Sequence, residues 1–241
     1  MGFLRKKKAE NGTAGPELNR PDGQSPLREV AYVFFDTELT GLDEKKDSLL
    51  SIGAVNMVNG RIELGTTFYQ LVKPRSFQHV ESVIIHEITP SEVIEQPEVG
   101  RVLEDFLNYI NGRVLAGYYL SIDLGFLSRE MRRVFNRSLD NPAIDTYRLY
   151  QWLHQKQPGV PSFAVPAEKL DLYALAQTFD IPFSSQHNAL EDALITAQVF
   201  QRFLPWLDQA GVRTLEELIR LGDPYKGGED RFRAPAQISN L

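Results

Sequence analysis

The apolar positions change period along the chain. Ala31-Tyr32-Val33-Phe34-Phe35 is continuously apolar, as a strand buried on both faces requires. A second run over 49–58 meets Asn59-Gly60 and then a third over 61–72. Asn-Gly between two such runs predicts a hairpin, because both residues tolerate positive φ. Three strands, with at least one antiparallel pair, therefore open the domain. The period then becomes helical: Val99, Val102, Leu103, Phe106, Leu107 and Ile110 share one face, with Pro97 at the start and Gly112 as a stop. Residues 113–117 predict a short strand, and Ser121 caps a helix running to about Phe135. Ala143-Ile144-Asp145 predicts a fifth strand, and Thr146 caps the next helix. Residues 156–168 hold three prolines and read as a loop. Asp171 caps a helix containing Leu172, Leu175, Ala176 and Phe179, and another helix runs from about Asn188 to Leu204. Thr214 with Glu217 forms a capping box for a small last helix. Strands followed by alternating helices and strands predict an α/β fold, a mixed five-stranded sheet flanked by helices. One domain is expected over about residues 29–220, with a flexible tail over 1–28 and a C-terminal tail over 221–241.

Composition narrows the function classes. With 42% apolar and 10% aromatic residues among 241, a sizeable core can be buried and wholesale disorder is excluded. The absence of cysteine removes disulfides, thiolate metal sites and cysteine nucleophiles. No run approaches the ~20 apolar residues of a membrane span. Nor does an apolar stretch follow the basic Arg5-Lys6-Lys7-Lys8 start. No membrane partner and a cytoplasmic location are expected. The net charge of −6 is unevenly divided: residues 1–28 carry six basic and three acidic side chains, so the remainder is more acidic than the whole. The basic tail reads as solvated, with contact to nucleic acid or anionic lipid as the alternative. A protein held to nucleic acid by diffuse attraction would be basic. Any phosphate chemistry here must be local.

No Walker loop, Gly-x-Gly-x-x-Gly turn, Gly-x-Ser-x-Gly elbow or His-x-x-x-His pair occurs. What stands out is acidic residues in unusual places. Asp36 and Glu38 follow the first strand and point to one face, with Cα atoms roughly 6.5 Å apart. Two such carboxylates need solvent, or a hard cation between them. Asp123 lies in the first turn of its helix, where the dipole alone would explain an acid. Asp192 is flanked by Ala189, Leu190, Ala193 and Leu194, so an enclosed carboxyl needing a partner or a metal is expected. His187 just precedes that helix. Each position has an ordinary structural explanation. Together, four carboxylates and an imidazole sit at strand ends and helix starts, and such ends can converge at one edge of an open α/β sheet.

This set resembles the DEDDh exonucleases, the DnaQ-like family that includes proofreading subunits of bacterial DNA polymerases. The family's Asp-x-Glu-x-Thr-Gly-Leu appears as Asp36-Thr37-Glu38-Leu39-Thr40-Gly41-Leu42. Its His-x-x-x-x-Asp-Ala appears as His187 to Ala193. Its His-Asn-x-x-Phe-Asp is altered to Tyr118-Tyr119-Leu120-Ser121-Ile122-Asp123, followed by Phe126-Leu127. A smaller element, a Glu five residues before His-x-Ile-Thr, is Glu81 with His86-Glu87-Ile88-Thr89. The match spans about residues 30–204 in order and spacing.

The resemblance implies a ribonuclease H-like fold and a metal-dependent 3′–5′ exonuclease acting on single-stranded or frayed DNA. Two divalent ions, Mg²⁺ or Mn²⁺, would be held by Asp36, Glu38, Asp123 and Asp192, with His187 as general base for the attacking water. Thr40, Gly41, Leu42, Glu81, His86 and Tyr119 are implied as substrate contacts; Tyr119 stands where the family's Asn helps hold substrate. The implied partners are nucleic acid with a free 3′ end, DNA before RNA, and a DNA polymerase if the chain proofreads. An exoribonuclease, a stand-alone repair enzyme and a non-catalytic binding module remain as alternatives.

Overall fold

A computed structural model describes residues 21–75, 88–166 and 169–226. One sheet organises them, with strands β1 (Tyr32–Leu39), β2 (Leu49–Val58), β3 (Arg61–Leu71), β4 (Val114–Gly117) and β5 (Ala143–Asp145). Their order is β3-β2-β1-β4-β5. The first three strands pair antiparallel, while β4 pairs parallel to β1 and β5 parallel to β4. This is the mixed five-stranded sheet expected. Asn59 (φ 51°) and Gly60 (φ 68°) make the β2–β3 turn, and the pairing of Val58 with Arg61 closes a two-residue hairpin around them.

The helices are α1 (Pro90–Val93), α2 (Val99–Ile110), α3 (Ser121–Phe135), α4 (Thr146–Lys156), α5 (Leu172–Thr178), α6 (Ala189–Gln209) and α7 (Leu215–Gly222). Alternation along β1 divides the core between the two sheet faces. Tyr32 and Phe34 join residues of α4, α5, α6 and α7 on one side. Val33 and Phe35 join residues of α2 and α3 on the other. The Phe200 ring of α6 sits 5.1 Å from Tyr32 and 5.3 Å from Phe34, clamping the long helix to the central strand. Truncating so enclosed a ring to alanine typically costs about 3–5 kcal/mol.

Several details differ from the sequence reading. Ser121 is the first residue of α3 rather than its cap, a position taken by Leu120 with no side-chain bond. β1 extends through Leu39, so Asp36 and Glu38 lie inside the strand, opposite Gly53 and Ser51 of β2, rather than after it. Asp145, not Thr146, caps α4: its carboxylate accepts from the Tyr147 N–H, while the Thr146 hydroxyl donates to the Gly117 carbonyl. Helix α6 continues past Leu204, with Pro205 inside it. Pro205 is exposed, so water can serve the backbone group it leaves unpaired, and the apolar stripe goes on to the buried Leu207. The described part of the expected N-terminal tail is not free. Pro26 bridges to Thr214, the Leu27 N–H donates to the Arg213 carbonyl, and Leu27 is buried. The α7 capping box forms as read, and Leu215 and Leu218 are fully buried. Among the described residues, no helix is long and apolar enough to cross a membrane.

Candidate active site

Strand alternation sends Asp36 and Glu38 to the face of Tyr32 and Phe34, where α6 lies. Asn188 caps that helix, accepting from the Leu190 and Glu191 N–H groups at 3.2 Å. Its first turn therefore starts cleanly and carries Asp192, 5% exposed, to the same place. Carboxylate oxygens of Asp36, Glu38 and Asp192 lie within 4.8 Å of one another.

Asp123 arrives from the opposite side. It sits in the first turn of α3, beneath the other sheet face, and is also 5% exposed. The pairing of β1 with β4 ends at Phe34 and Ala116. Beyond it, Thr37 donates both its N–H (3.0 Å) and its hydroxyl (2.5 Å) to Asp123 Oδ1. The open edge of β1 thus holds the fourth acid at the strand end. It approaches around the edge rather than over the face, so it borders the close trio instead of joining it.

Burial raises the pKa of all four acids. Asp36 is pushed well up by desolvation and then by Asp123, Asp192 and Glu38. Glu38 is raised by desolvation, then by Asp192 and Asp123. Asp123 is raised to about 7 by desolvation against the opposing hydrogen bonds from Thr37. Asp192 is likewise raised to about 7 by desolvation against the bond from Tyr173. No lysine or arginine is among the described residues lining the cleft. Asp192 Oδ1 is buried without a hydrogen-bond partner. An all-oxygen donor set, crowded negative charge and an orphaned buried oxygen fit a hard divalent cation.

His187 lines the same cleft. Partial burial lowers its pKa below the ordinary imidazole value, with Asp171 opposing the shift. The ring is therefore neutral near pH 7 and able to accept a proton. Its backbone is left-handed, at φ 57°. The structure thus brings together all five residues that the sequence singled out for catalysis.

The expected substrate contacts fare unevenly. Gly41, Leu42 and Tyr119 line the cleft. Tyr119 holds φ 53° and its ring lies 4.2 Å from that of Tyr147 and 4.9 Å from that of Tyr118. Thr40 does not line it: the residue is 3% exposed, and its hydroxyl donates to Asp47 and accepts from the Ser48 N–H, tying the β1–β2 loop together. Glu81 and His86 lie outside the described residues. The sequence reading missed Thr37 and Tyr173. Thr37 is the intervening residue of Asp-x-Glu, and only the early end of β4 reveals its role. Tyr173 sits one position along α5 from the apolar Leu172 and carries no spacing signal of its own.

The family model for RNase T, described as exonuclease, matches residues 33–200. The chain belongs to the exonuclease family. Its sequence and fold place it with the DnaQ-like exonucleases. A DNA polymerase III subunit epsilon-like protein of Rhodobacter capsulatus is 33% identical over 192 residues, covering 79% of this chain and 26% of that protein. The DNA polymerase III subunit epsilon of Aquifex aeolicus is 26% identical over 178 residues, covering 74% and 82%. The chain thus spans about a quarter of the Rhodobacter protein's length. The fold is shared with E. coli exonuclease I, solved in its zinc-bound form with single-stranded DNA, at TM-score 0.63 and 16% identity, covering 75% of this chain and 42% of that one.

Proposed function

We propose that this domain is a 3′–5′ exonuclease of the DEDDh type, acting on single-stranded or frayed DNA with two divalent ions, Mg²⁺ or Mn²⁺. The observation that carries the reading is the gathering of Asp36, Glu38 and Asp192 oxygens within 4.8 Å, beside an unpartnered Asp192 Oδ1. When bound, such ions would make water nucleophilic at neutral pH and neutralise the departing 3′ oxygen. Asp36, Glu38 and Asp192 are assigned to hold one ion, and Asp36 with Asp123 the other. His187, neutral and half-buried, takes the proton from the attacking water. Gly41, Leu42 and the Tyr119 ring form the wall against which the terminal nucleotide rests; aromatic rings stack any base, which suits unpaired ends.

DNA is favoured over RNA because the DNA polymerase subunits above are relatives and a single-stranded DNA complex shares the fold. A proofreading role would need a surface for a polymerase. Helix α7 does not offer its apolar face for one, because Leu215 and Leu218 are buried in this domain's own core. The test is degradation of 5′-labelled DNA and RNA of one sequence, single-stranded and duplex, with Mg²⁺ or Mn²⁺. Stepwise shortening of DNA from the 3′ end, lost in Asp36→Ala, supports the reading. Shortening of RNA alone moves the substrate, and intact nucleic acid with either metal points to a binding module.

A further inference from the structure

We propose that Tyr173 is the positioning residue of this site, one hydroxyl holding both Asp192 and the backbone of His187 in place. The inference rests on the metal site proposed above and extends it to a residue outside the family's motifs.

A phenol has one proton to donate and lone pairs to accept. The Tyr173 hydroxyl donates to Asp192 Oδ2 at 2.7 Å and accepts from the His187 N–H at 2.6 Å. Its hydrogen-bonding capacity is thus engaged by the protein, leaving no group for the reacting phosphate. It acts through its neighbours rather than on substrate.

The two bonds do different things. A carboxylate turns about a broad terminal torsion, so one oxygen must be held for the other to stay aimed. With Oδ2 held, Asp192 keeps Oδ1 buried and without a protein partner, beside Asp36 and Glu38. A cation's ligand needs that arrangement: one oxygen anchored, one left for the ion. At His187 the need is conformational. A left-handed φ of 57° in a non-glycine residue is disfavoured and persists only when its surroundings enforce it. The bond to Tyr173 enforces it, and the Tyr173 ring meets the imidazole edge-on at 5.4 Å. The Phe183 ring lies 5.5 Å from that of Tyr173 and makes no hydrogen bond to the site. Helix α5, which belongs to no motif, is by this link part of the site.

The test uses the full chain and two variants. Tyr173→Phe removes the hydroxyl and keeps the ring. Phe183→Leu alters only the neighbouring packing and keeps both the Tyr173 ring and its hydroxyl. Mn²⁺ affinity is measured by calorimetry on the metal-free protein, and kcat and KM on single-stranded DNA. Tyr173→Phe is expected to weaken Mn²⁺ binding by about 10–100-fold, the usual effect of losing a group that orients a ligand. It should also lower kcat with KM nearly unchanged. Phe183→Leu should bind Mn²⁺ like wild type even if it melts earlier. Wild-type Mn²⁺ affinity and kcat in Tyr173→Phe would overturn the proposal, as would equal losses in both variants, which would mark a packing role. Wild-type protein that binds Mn²⁺ with the expected variant pattern, yet leaves DNA and RNA intact, would defeat the nuclease reading while sustaining the role of Tyr173 toward Asp192.

Discussion

Gly53 lies directly across from Asp36 in the β1–β2 ladder, and the space its missing side chain leaves is filled by the start of α6. A Cβ at Gly53 would stand 2.1 Å from the Leu190 nitrogen and 2.2 Å from the Ala189 carbonyl carbon. Backbone cannot yield as a flexible side chain does. This contact therefore sets how near Asp192 comes to Asp36, and a glycine in the middle of a strand is explained by close approach.

Gly53→Ala should push the first turn of α6 off the sheet. The expected outcome is a folded protein destabilised by about 1–3 kcal/mol, as overpacking typically costs. It should bind Mn²⁺ much more weakly than a surface variant of equal stability. Denaturant melts together with calorimetric Mn²⁺ titration check this.

Thr37→Val keeps the side-chain shape and the N–H bond to Asp123 but deletes the hydroxyl bond at 2.5 Å. Hydrogen bonds to charged groups contribute about 1.5–3 kcal/mol, so a loss of roughly tenfold or more in kcat is expected, with little change in KM. Steady-state kinetics on single-stranded DNA measure it.

His187→Ala should lower kcat by about 10²–10⁴-fold, the range for removing a general base. Its Mn²⁺ affinity should stay within about twofold of wild type, because the proposed ligands are carboxylates. Collapse of Mn²⁺ binding in this variant would reassign the histidine as a ligand.

Buried acids should make the metal-free protein more stable in acid. Asp123, Asp145 and Asp192 titrate at about 7 in the fold because burial disfavours their charged forms. Unfolded, they titrate near the ordinary value of about 4. Between these limits the native state binds more protons than the unfolded one, so stability falls as pH rises from about 4 to about 7 and then levels. A higher melting temperature at about pH 5 than at about pH 8 without metal is expected, with the difference reduced or reversed by Mn²⁺, which binds deprotonated ligands. Thermal melts at both pH values, with and without Mn²⁺, test this.

Much of the site was legible because its chemistry forces local patterns. Two acids on one strand face and an acid on the apolar side of α6 each strain a local rule, and such strains mark functional positions, whereas the acid in the first turn of α3 follows the helix dipole and stands out only beside them. The hairpin was legible as well, since Asn59-Gly60 admits few alternatives, whereas the strand order was not. What escaped depends on contacts between distant segments. That Thr37 would hold Asp123 follows from where β4 stops. That Tyr173 would reach across to Asp192 follows from how α5 packs on α6. That Thr40 would turn inward follows from Asp47 and Ser48 closing the loop on it. None of these leaves a period or a spacing in the chain.

If Asp36, Glu38 and Asp192 cage a cation together, diffraction from Mn²⁺-soaked crystals of the full chain will show it. An anomalous peak is expected at the trio, bonded to oxygens of all three at roughly 2.0–2.3 Å, close to Mg²⁺–oxygen distances. The Tyr173 bond to Asp192 should be intact. A peak elsewhere, or none at the trio under saturating Mn²⁺, would contradict it.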